Sequence, residues 1–271
     1  MKRLKLVIYI LSTAVIVLFL FGMFINGAEK IQKHHLIGIG GREVASRAVD
    51  DFVLLDDIPG SRDDEFTFCG KKYKMYCQFS RNYKGYNRYL AAHGCAVTSL
   101  TTILRAYVPE CNEWTPYETI SIAEKTVAGA SAFNSNYSGR QMPISLYGAT
   151  QVFDHYGIEY EYKPSFGSDE EVKRDIIEHL HEGKPVMFIV GQKNRATGKR
   201  SAKWTGSYHT MIMIGVDKNN NVLIGNPAGS QRFQLVSLDE MINYMWSSTE
   251  EPIKFYWYGI NRCGGYIKIM E

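Results

Sequence analysis

The chain has 271 residues, with 31 lysines and arginines against 28 aspartates and glutamates, and five cysteines. Lys2, Arg3 and Lys5 account for the whole formal net charge of +3, so the rest balances at 28 against 28. No basic run is interleaved with aromatics, which leaves nucleic-acid binding without an electrostatic footprint, and the length suits one domain with a real core after a separate N-terminal segment.

The N-terminal segment sets the expected compartment. Lys2, Arg3 and Lys5 precede a stretch from Leu6 to Ile25 that contains no charged side chain. At about 1.5 Å per residue that run spans about 30 Å, the hydrocarbon thickness of a bilayer. Secretory h-regions are usually about 7–15 residues, and Asn26-Gly27-Ala28 is a poor cleavage site because Asn26 takes the outer position. Residues 1–28 are therefore expected to be an uncleaved signal anchor in the cell membrane, with residues 6–25 spanning it and the following chain outside the cytoplasm. Secretion after signal cleavage is the alternative. Residues 29–68 read as an extracytoplasmic spacer, with Gly38-Ile39-Gly40-Gly41 and an acidic run through Asp63, Asp64 and Glu65. No Gly-Lys-Ser/Thr follows those glycines, so they are no phosphate loop. Residues 69–271 form the patterned, aromatic-rich domain.

In an exported chain five cysteines allow two disulfides and one free thiol. Cys69 and Cys77 flank a short stretch expected to form a hairpin, which would leave Cys111 with Cys263 and Cys95 unpaired. The connectivity stays open, and a fully reduced set is the alternative. No pair has C-x-x-C spacing, so a structural zinc site or a thioredoxin-like motif is not indicated.

Within the domain, His93-Gly94-Cys95-Ala96-Val97 opens a run in which Leu100, Ile103, Leu104 and Tyr107 recur at helical spacing, predicting a helix with one buried face. Thr115-Pro116-Tyr117-Glu118, Ser168-Asp169-Glu170-Glu171 and Ser237-Leu238-Asp239-Glu240 each read as a capping box that starts a helix. The second of these helices should stop at Gly183, and a further helix is expected from Ile144 to Tyr156, stopped by Gly157. Strand-like runs follow at Pro185 to Val190, His209 to Val216, Val222 to Gly225, and Phe255 to Tyr258. Helices dominate the first half and strands the second, which predicts an α+β fold.

Cys95 carries the functional reading. A thiol in the first turn of a helix faces unpaired backbone N–H groups and the positive end of the helix dipole, and both favour thiolate. A buried structural cysteine is the plain alternative. The candidate base is His209, at the start of one of two apolar runs joined by Asp217-Lys218-Asn219-Asn220-Asn221. An antiparallel hairpin that pairs Val216 with Asn219 sets His209 opposite Asn226, whose amide would orient the imidazole. A nucleophile, a base and an orienter are the elements of covalent acyl transfer.

These residues and their flanks resemble the papain-like cysteine peptidases of the bacteriocin double-glycine leader peptidase type, and more closely the exported bacterial proteins with a double-glycine peptidase-like domain. The resemblance rests on Gln78 upstream of the nucleophile, Gly94-Cys95-Ala96-Val97-Thr98-Ser99-Leu100, Gly183-Lys184-Pro185-Val186, His209 through Gly215-Val216-Asp217, and Gly225-Asn226-Pro227-Ala228-Gly229. It covers roughly residues 73 to 245. It implies a papain-like fold with a helical N-terminal part and an antiparallel β C-terminal part, and a peptidase whose catalytic residues are Cys95, His209, Asn226 and Gln78, the last as an oxyanion-hole donor beside the Cys95 N–H. A peptide or protein is the implied substrate, and no metal or cofactor is needed. Two departures stand out: Asn226 replaces the aspartate usual in this group, and Leu90-Ala91-Ala92-His93 replaces its glycine-rich element. A peptide- or cell-wall-binding domain of the same fold, or a cell-wall peptide hydrolase, are the alternative functions. With no ABC-transporter segment in view, a leader peptidase inside an exporter is not expected. His179 and His181 are expected to point apart at a helix end, His34-His35 to sit in the spacer, and Trp204, Tyr208 and Trp246 to pack in the core.

Overall fold

The apolar runs around His209 build the centre of a six-stranded antiparallel sheet in the order β5–β10–β6–β7–β8–β9. These strands are β5 (Tyr160–Lys163), β6 (Val186–Gly191), β7 (Tyr208–Val216), β8 (Asn221–Gly225), β9 (Phe233–Ser237) and β10 (Tyr266–Ile269). Two hairpins stand apart from it: β1 (Glu65–Phe68) with β2 (Lys71–Lys74), and β3 (Phe133–Ser135) with β4 (Gln141–Pro143). The helices are α1 (Cys95–Tyr107), α2 (Pro116–Thr126), α3 (Leu146–Tyr156), α4 (Asp169–His181) and α5 (Leu238–Tyr244). This computed structural model describes residues 65–78, 90, 93–126, 133–135, 141–143, 146–165, 167–206, 208–228, 232–246 and 264–270. The expected anchor at 6–25, most of the spacer, His34-His35, the strand at Phe255–Tyr258 and Cys263 lie outside these residues. Among the described residues no helix is long and apolar enough to cross a membrane.

Both faces of the sheet are covered, which is why β6 and β7 read as continuous apolar runs rather than alternating ones. Met187, Ile189, Ile212 and Leu223 share one core with Leu100, Ile103 and Leu104 of α1 and Leu146, Val152 and Phe153 of α3. Val186, Phe188, Val190, Met211, Met213 and Ile224 share the other with Val172, Ile176 and Leu180 of α4 and Leu238, Met241 and Ile242 of α5. Helices and antiparallel strands together make the α+β class the sequence predicts.

Helix α1 departs from the expected single buried face: every residue from Cys95 to Leu104 is buried. Three of its buried hydroxyls bond to the elements around it, whereas Thr98 Oγ1 has no hydrogen-bond partner. Thr101 Oγ1 bonds Thr119 Oγ1 of α2 at 2.8 Å, Thr102 Oγ1 donates to the Lys74 carbonyl at 2.8 Å, and Ser99 Oγ donates to the Thr210 carbonyl at 3.1 Å. Hydroxyls bonded in this way let the remaining faces of the helix sit at the centre of the fold with a single orphaned side-chain oxygen among its described residues from Cys95 to Leu104.

Local chemistry sets several boundaries. Ser168 and Glu171 form a reciprocal capping box on α4, which ends at Gly183 with φ +74°. Glu118 accepts from the Thr115 N–H at 2.9 Å at the start of α2. Ser237 occupies the N-cap of α5, but its side chain makes no capping bond, so the third expected box does not form. The hairpin expected between Cys69 and Cys77 is also corrected. The chain turns at Cys69-Gly70 itself, with Gly70 at φ +72°, and Phe68 pairs with Lys71. That turn puts Glu65 within 2.7 Å of Lys72 and 2.9 Å of Lys74, so ordered strand begins before residue 69. None of Cys69, Cys77, Cys95 and Cys111 is in a disulfide.

Candidate active site

Cys95 is the first residue of α1 and is 1% exposed. The turn before it closes with a Gly94 N–H to Leu90 carbonyl bond of 2.8 Å, and a Cβ at position 94 would overlap the Leu90 carbonyl oxygen and Cδ1. Glycine before the cysteine is therefore a steric requirement of the turn that aims α1. The N–H groups of Cys95 and Ala96 act on the sulfur and favour thiolate, as a helix start should, and so does the N–H of Thr210. Burial outweighs all of them and pushes the thiol up. The expected thiolate is thus corrected: in this closed environment the sulfur is a neutral thiol.

His209 is also 1% exposed, and its Nε2 lies 2.8 Å from Asn226 Oδ1. The same oxygen accepts from the Ala228 N–H at 3.0 Å. A backbone N–H can only donate, so the Asn226 atom facing it is the oxygen, and Nε2 must then carry the imidazole proton toward it. Nδ1 is left as the basic nitrogen. Burial lowers His209 to about 4, opposed only by the Asn226 bond, so the ring is neutral.

The pairing that joins these two residues differs from the sequence expectation. Val216 pairs with Val222 rather than Asn219, and a bulge between Met213 and Gly215 shifts the register before Ile212 pairs with Gly225. The Asp217 carboxylate enlarges the turn by accepting from the N–H groups of Asn219 at 2.9 Å and Asn221 at 2.7 Å, and from Asn221 Nδ2 at 2.8 Å. Continuing the register, Asn226 falls opposite Met211, which makes His209 its diagonal neighbour on the same face.

Gln78 is fully buried, and its N–H donates to the Pro227 carbonyl at 2.9 Å, fastening the segment after β2 beside Asn226. The structure thus brings together Gln78, Asn226 and His209. Cys95 meets β7 one residue further on, at Thr210, and its thiol is not among the groups that act on the imidazole. Pleat alternation explains the separation. His209 pairs with Val190 and shares the face of Met211, whereas Thr210 pairs with Ile189 and shares the face of Ile212, on which α1 packs. Thr210 is the residue that the sequence reading does not single out. The available signal is a hydroxyl directly after the candidate base in an otherwise apolar run.

The remaining candidates resolve simply. His93 is held near 4 by burial. His179 is buried while His181 is exposed, as two-residue spacing on a helix requires. Trp204 and Trp246 are buried in the two cores, and Tyr208 lies against Trp246 with ring centroids 6.1 Å apart. Among the described residues no group of three or more histidines, cysteines, aspartates and glutamates is placed to hold a metal ion. A cavity of about 400 Å³ lies elsewhere, beside α4, lined by Lys163, Arg174, Asp175 and Tyr266 among others.

No curated protein matches the chain at a significant level. A crystal structure from Bacillus anthracis, described as that of a C39-like peptidase, is 16% identical, with 66% of this chain and 89% of that one covered and a TM-score of 0.39. The model of the Peptidase_C39-like family matches residues 71–251, which takes in Gln78, Cys95, His209 and Asn226 and extends slightly beyond the resemblance read from the sequence motifs. With two thirds of its length matched in this way, the chain belongs to the Peptidase_C39-like family.

Proposed function

We propose that the protein is an extracytoplasmic cysteine peptidase held to the membrane through residues 6–25, with the residues from 29 up to the first strand at Glu65 as its tether. Cys95 is the nucleophile, His209 the base, Asn226 its orienter and Gln78 an oxyanion donor beside the Cys95 N–H. The observation that carries this reading is the 2.8 Å His209–Asn226 bond, which leaves Nδ1 basic in a chain of this family whose cysteine starts a helix. Opening of the site and rotation of the imidazole toward the β7 edge bring Nδ1 to the sulfur. The thiol proton passes to Nδ1, and the thiolate attacks the peptide carbonyl. The oxyanion takes hydrogen bonds from Gln78 and the Cys95 amide, and the imidazolium protonates the leaving amine. Water, deprotonated by His209, then releases the acyl group. Loss of one oxyanion donor, as in Gln78→Ala, is expected to cost about 2.7–4 kcal/mol of transition-state stabilisation.

The test is alkylation of Cys95 by iodoacetamide or E-64, read by mass spectrometry. The peptidase reading expects reaction much faster than that of free cysteine, and loss of the excess in His209→Ala. Equal rates in the two proteins would instead favour a peptide- or cell-wall-binding domain, a reading that the complete burial of Cys95 supports. Unfolded casein and purified sacculi separate a general peptidase from a cell-wall peptide hydrolase.

A further inference from the structure

The described residues between β6 and β7, 192–206, carry five cations, Lys193, Arg195, Lys199, Arg200 and Lys203, and no acidic residue. They fold back as a fixed hairpin. Lys193 and Arg200 form an antiparallel bridge, the Asn194 N–H donates to the Lys199 carbonyl at 2.9 Å, and the Ser201 N–H donates to the Gln192 carbonyl at 2.6 Å. Asn194 Oδ1 closes the tip by accepting from the Thr197 N–H at 2.9 Å and from its hydroxyl at 3.1 Å. Two of the cations tie the hairpin to the body of the fold: Arg195 pairs with Asp169 of α4 at 3.0 Å, and Lys203 with Glu240 of α5. Lys193, Lys199 and Arg200 are exposed and pair with no carboxylate among the described residues. The bridge sets Lys193 directly opposite Arg200. Cross-strand partners project from one face with Cβ atoms about 4.5–5.5 Å apart, and like charges there are destabilising. No acid in the hairpin offsets them, so an anion lying across both relieves a repulsion built into the free protein. The hairpin also grows from the end of the sheet that carries the base. His209 pairs with Val190, and Lys193 follows three residues later in the same chain segment. That separation is no more than about 10 Å, the length of about three residues of extended peptide.

We propose that Lys193 and Arg200, with Lys199 beside them in the chain, recognise acidic side chains of a peptide substrate within about three or four residues of the bond cleaved. Arg200 offers a planar fork that suits a carboxylate, and Lys193 a point charge beside it. Opposed charges of this kind set partner choice and encounter rate more than raw affinity. Three free cations fall short of the roughly 4–8 that mark lipid-headgroup recognition, and their place at the His209 end of the sheet favours a substrate over a membrane surface. The proposal names a substrate class for the peptidase reading and rests on it, whereas the binding itself needs no reaction at Cys95.

The experiment compares two short dye-labelled peptides, identical but for a run of Glu in one and of Gln in the other. Fluorescence anisotropy with the full chain carrying Cys95→Ala, which cannot turn them over, gives the affinities. The Glu peptide is expected to bind about tenfold tighter near about 0.05 M salt, with the advantage falling toward one near about 0.5 M, as exposed ion pairs require. In that background Lys193→Gln with Arg200→Gln should remove the preference, and Lys193→Arg with Arg200→Lys should keep it. Equal affinities for the two peptides at low salt overturn the proposal, as does a preference that survives the double Gln variant. Sedimentation with phosphatidylglycerol vesicles is run on the same proteins. Weaker vesicle binding by the double Gln variant, together with equal peptide affinities, overturns the proposal in favour of a lipid surface. Iodoacetamide alkylation of the unsubstituted chain and of His209→Ala decides the peptidase reading separately. Equal rates there remove the peptidase and leave acidic-peptide binding to stand on the anisotropy. Fast alkylation with equal peptide affinities keeps the peptidase and removes the acidic preference.

Discussion

Asn226→Ala tests the geometry of the site most directly. Asn226 Oδ1 accepts from two donors at once, His209 Nε2 at 2.8 Å and the Ala228 N–H at 3.0 Å. His209 and Asn226 are each 1% exposed and Ala228 is 7% exposed, so truncation strips the acceptor from two donors that water does not reach. Each orphaned donor costs about 1–3 kcal/mol, which sets the expected destabilisation at about 2–6 kcal/mol. Asn226→Asp keeps the acceptor for both donors and adds a charge that favours the protonated ring. It should lie closer to wild type than Asn226→Ala at neutral pH, and His209 should titrate above its present value of about 4. Urea unfolding followed by tryptophan fluorescence measures the first effect, with m-values compared to confirm that both proteins unfold alike. NMR titration of the imidazole measures the second. A loss below about 0.5 kcal/mol for Asn226→Ala, within the range of surface substitutions, would refute the claim that this amide is a shared and buried acceptor.

Three further outcomes follow from the same structure. Asp175 of α4 accepts from Lys163 at 2.8 Å, Lys268 at 2.8 Å and Tyr266 Oη at 2.6 Å. Burial pushes its carboxyl up, but these donors prevail and hold it at about 2, so its contribution is present above the ordinary value of 3.8 and fades as pH falls toward 2. Asp175→Asn should lose about 1–2 kcal/mol at pH 7, discounted for partial exposure, and none below about pH 2, by urea unfolding at both pH values. His209 has the opposite origin but the same sign: the unfolded ring takes up a proton below about pH 6.5 while the folded ring stays neutral until about 4. This ring should therefore cost about 3 kcal/mol of stability between those values, a share of the slope that His209→Ala removes in the same titration while the share of His93, also held near 4, remains. Gly265→Ala places a Cβ onto the Lys163 carbonyl oxygen at a residue with φ +93°, so the soluble yield should collapse or the Tm fall by about 10 °C or more. A Tm within about 2 °C of wild type would show that the β5–β10 edge can move aside.

Elements whose determinants are local were readable in the chain. The Ser168–Glu171 box, the Glu118 cap and the Gly157 and Gly183 stops each depend on residues within one turn, and each forms. The His209–Asn226 juxtaposition was readable through two errors of unequal size. The turn holds three more residues on the β8 side than a tight hairpin does, because Asp217 organises it, and the bulge after Met213 takes one back. The net slip is two residues, and an even slip preserves the face. A slip of one would have put the amide on the far side of the sheet. What could not be read is long-range. β10 inserts between β5 and β6 from the far end of the chain, and its sequence, Tyr266-Ile267-Lys268-Ile269, has no feature that names either neighbour. The all-round burial of α1 is equally hidden, since Ser99, Thr101 and Thr102 look like a solvent face until their partners are in place.

That hidden burial also decides the charge state of the site. The start of α1 supplies the N–H groups that favour thiolate, as the position of Cys95 at a helix start implies. The same packing that aims those groups excludes water, and exclusion of water disfavours the ionised sulfur by more than the aligned N–H groups favour it. It acts on His209 in the matching direction, holding the ring neutral. Both shifts oppose an ion pair, one by keeping the proton on sulfur and the other by refusing it at nitrogen. On the peptidase reading the two penalties have one cause, so hydration of the site relieves both together. Thiol and imidazole then move toward the ionised pair together, so the fast alkylation expected of Cys95 reports the hydrated form of the site.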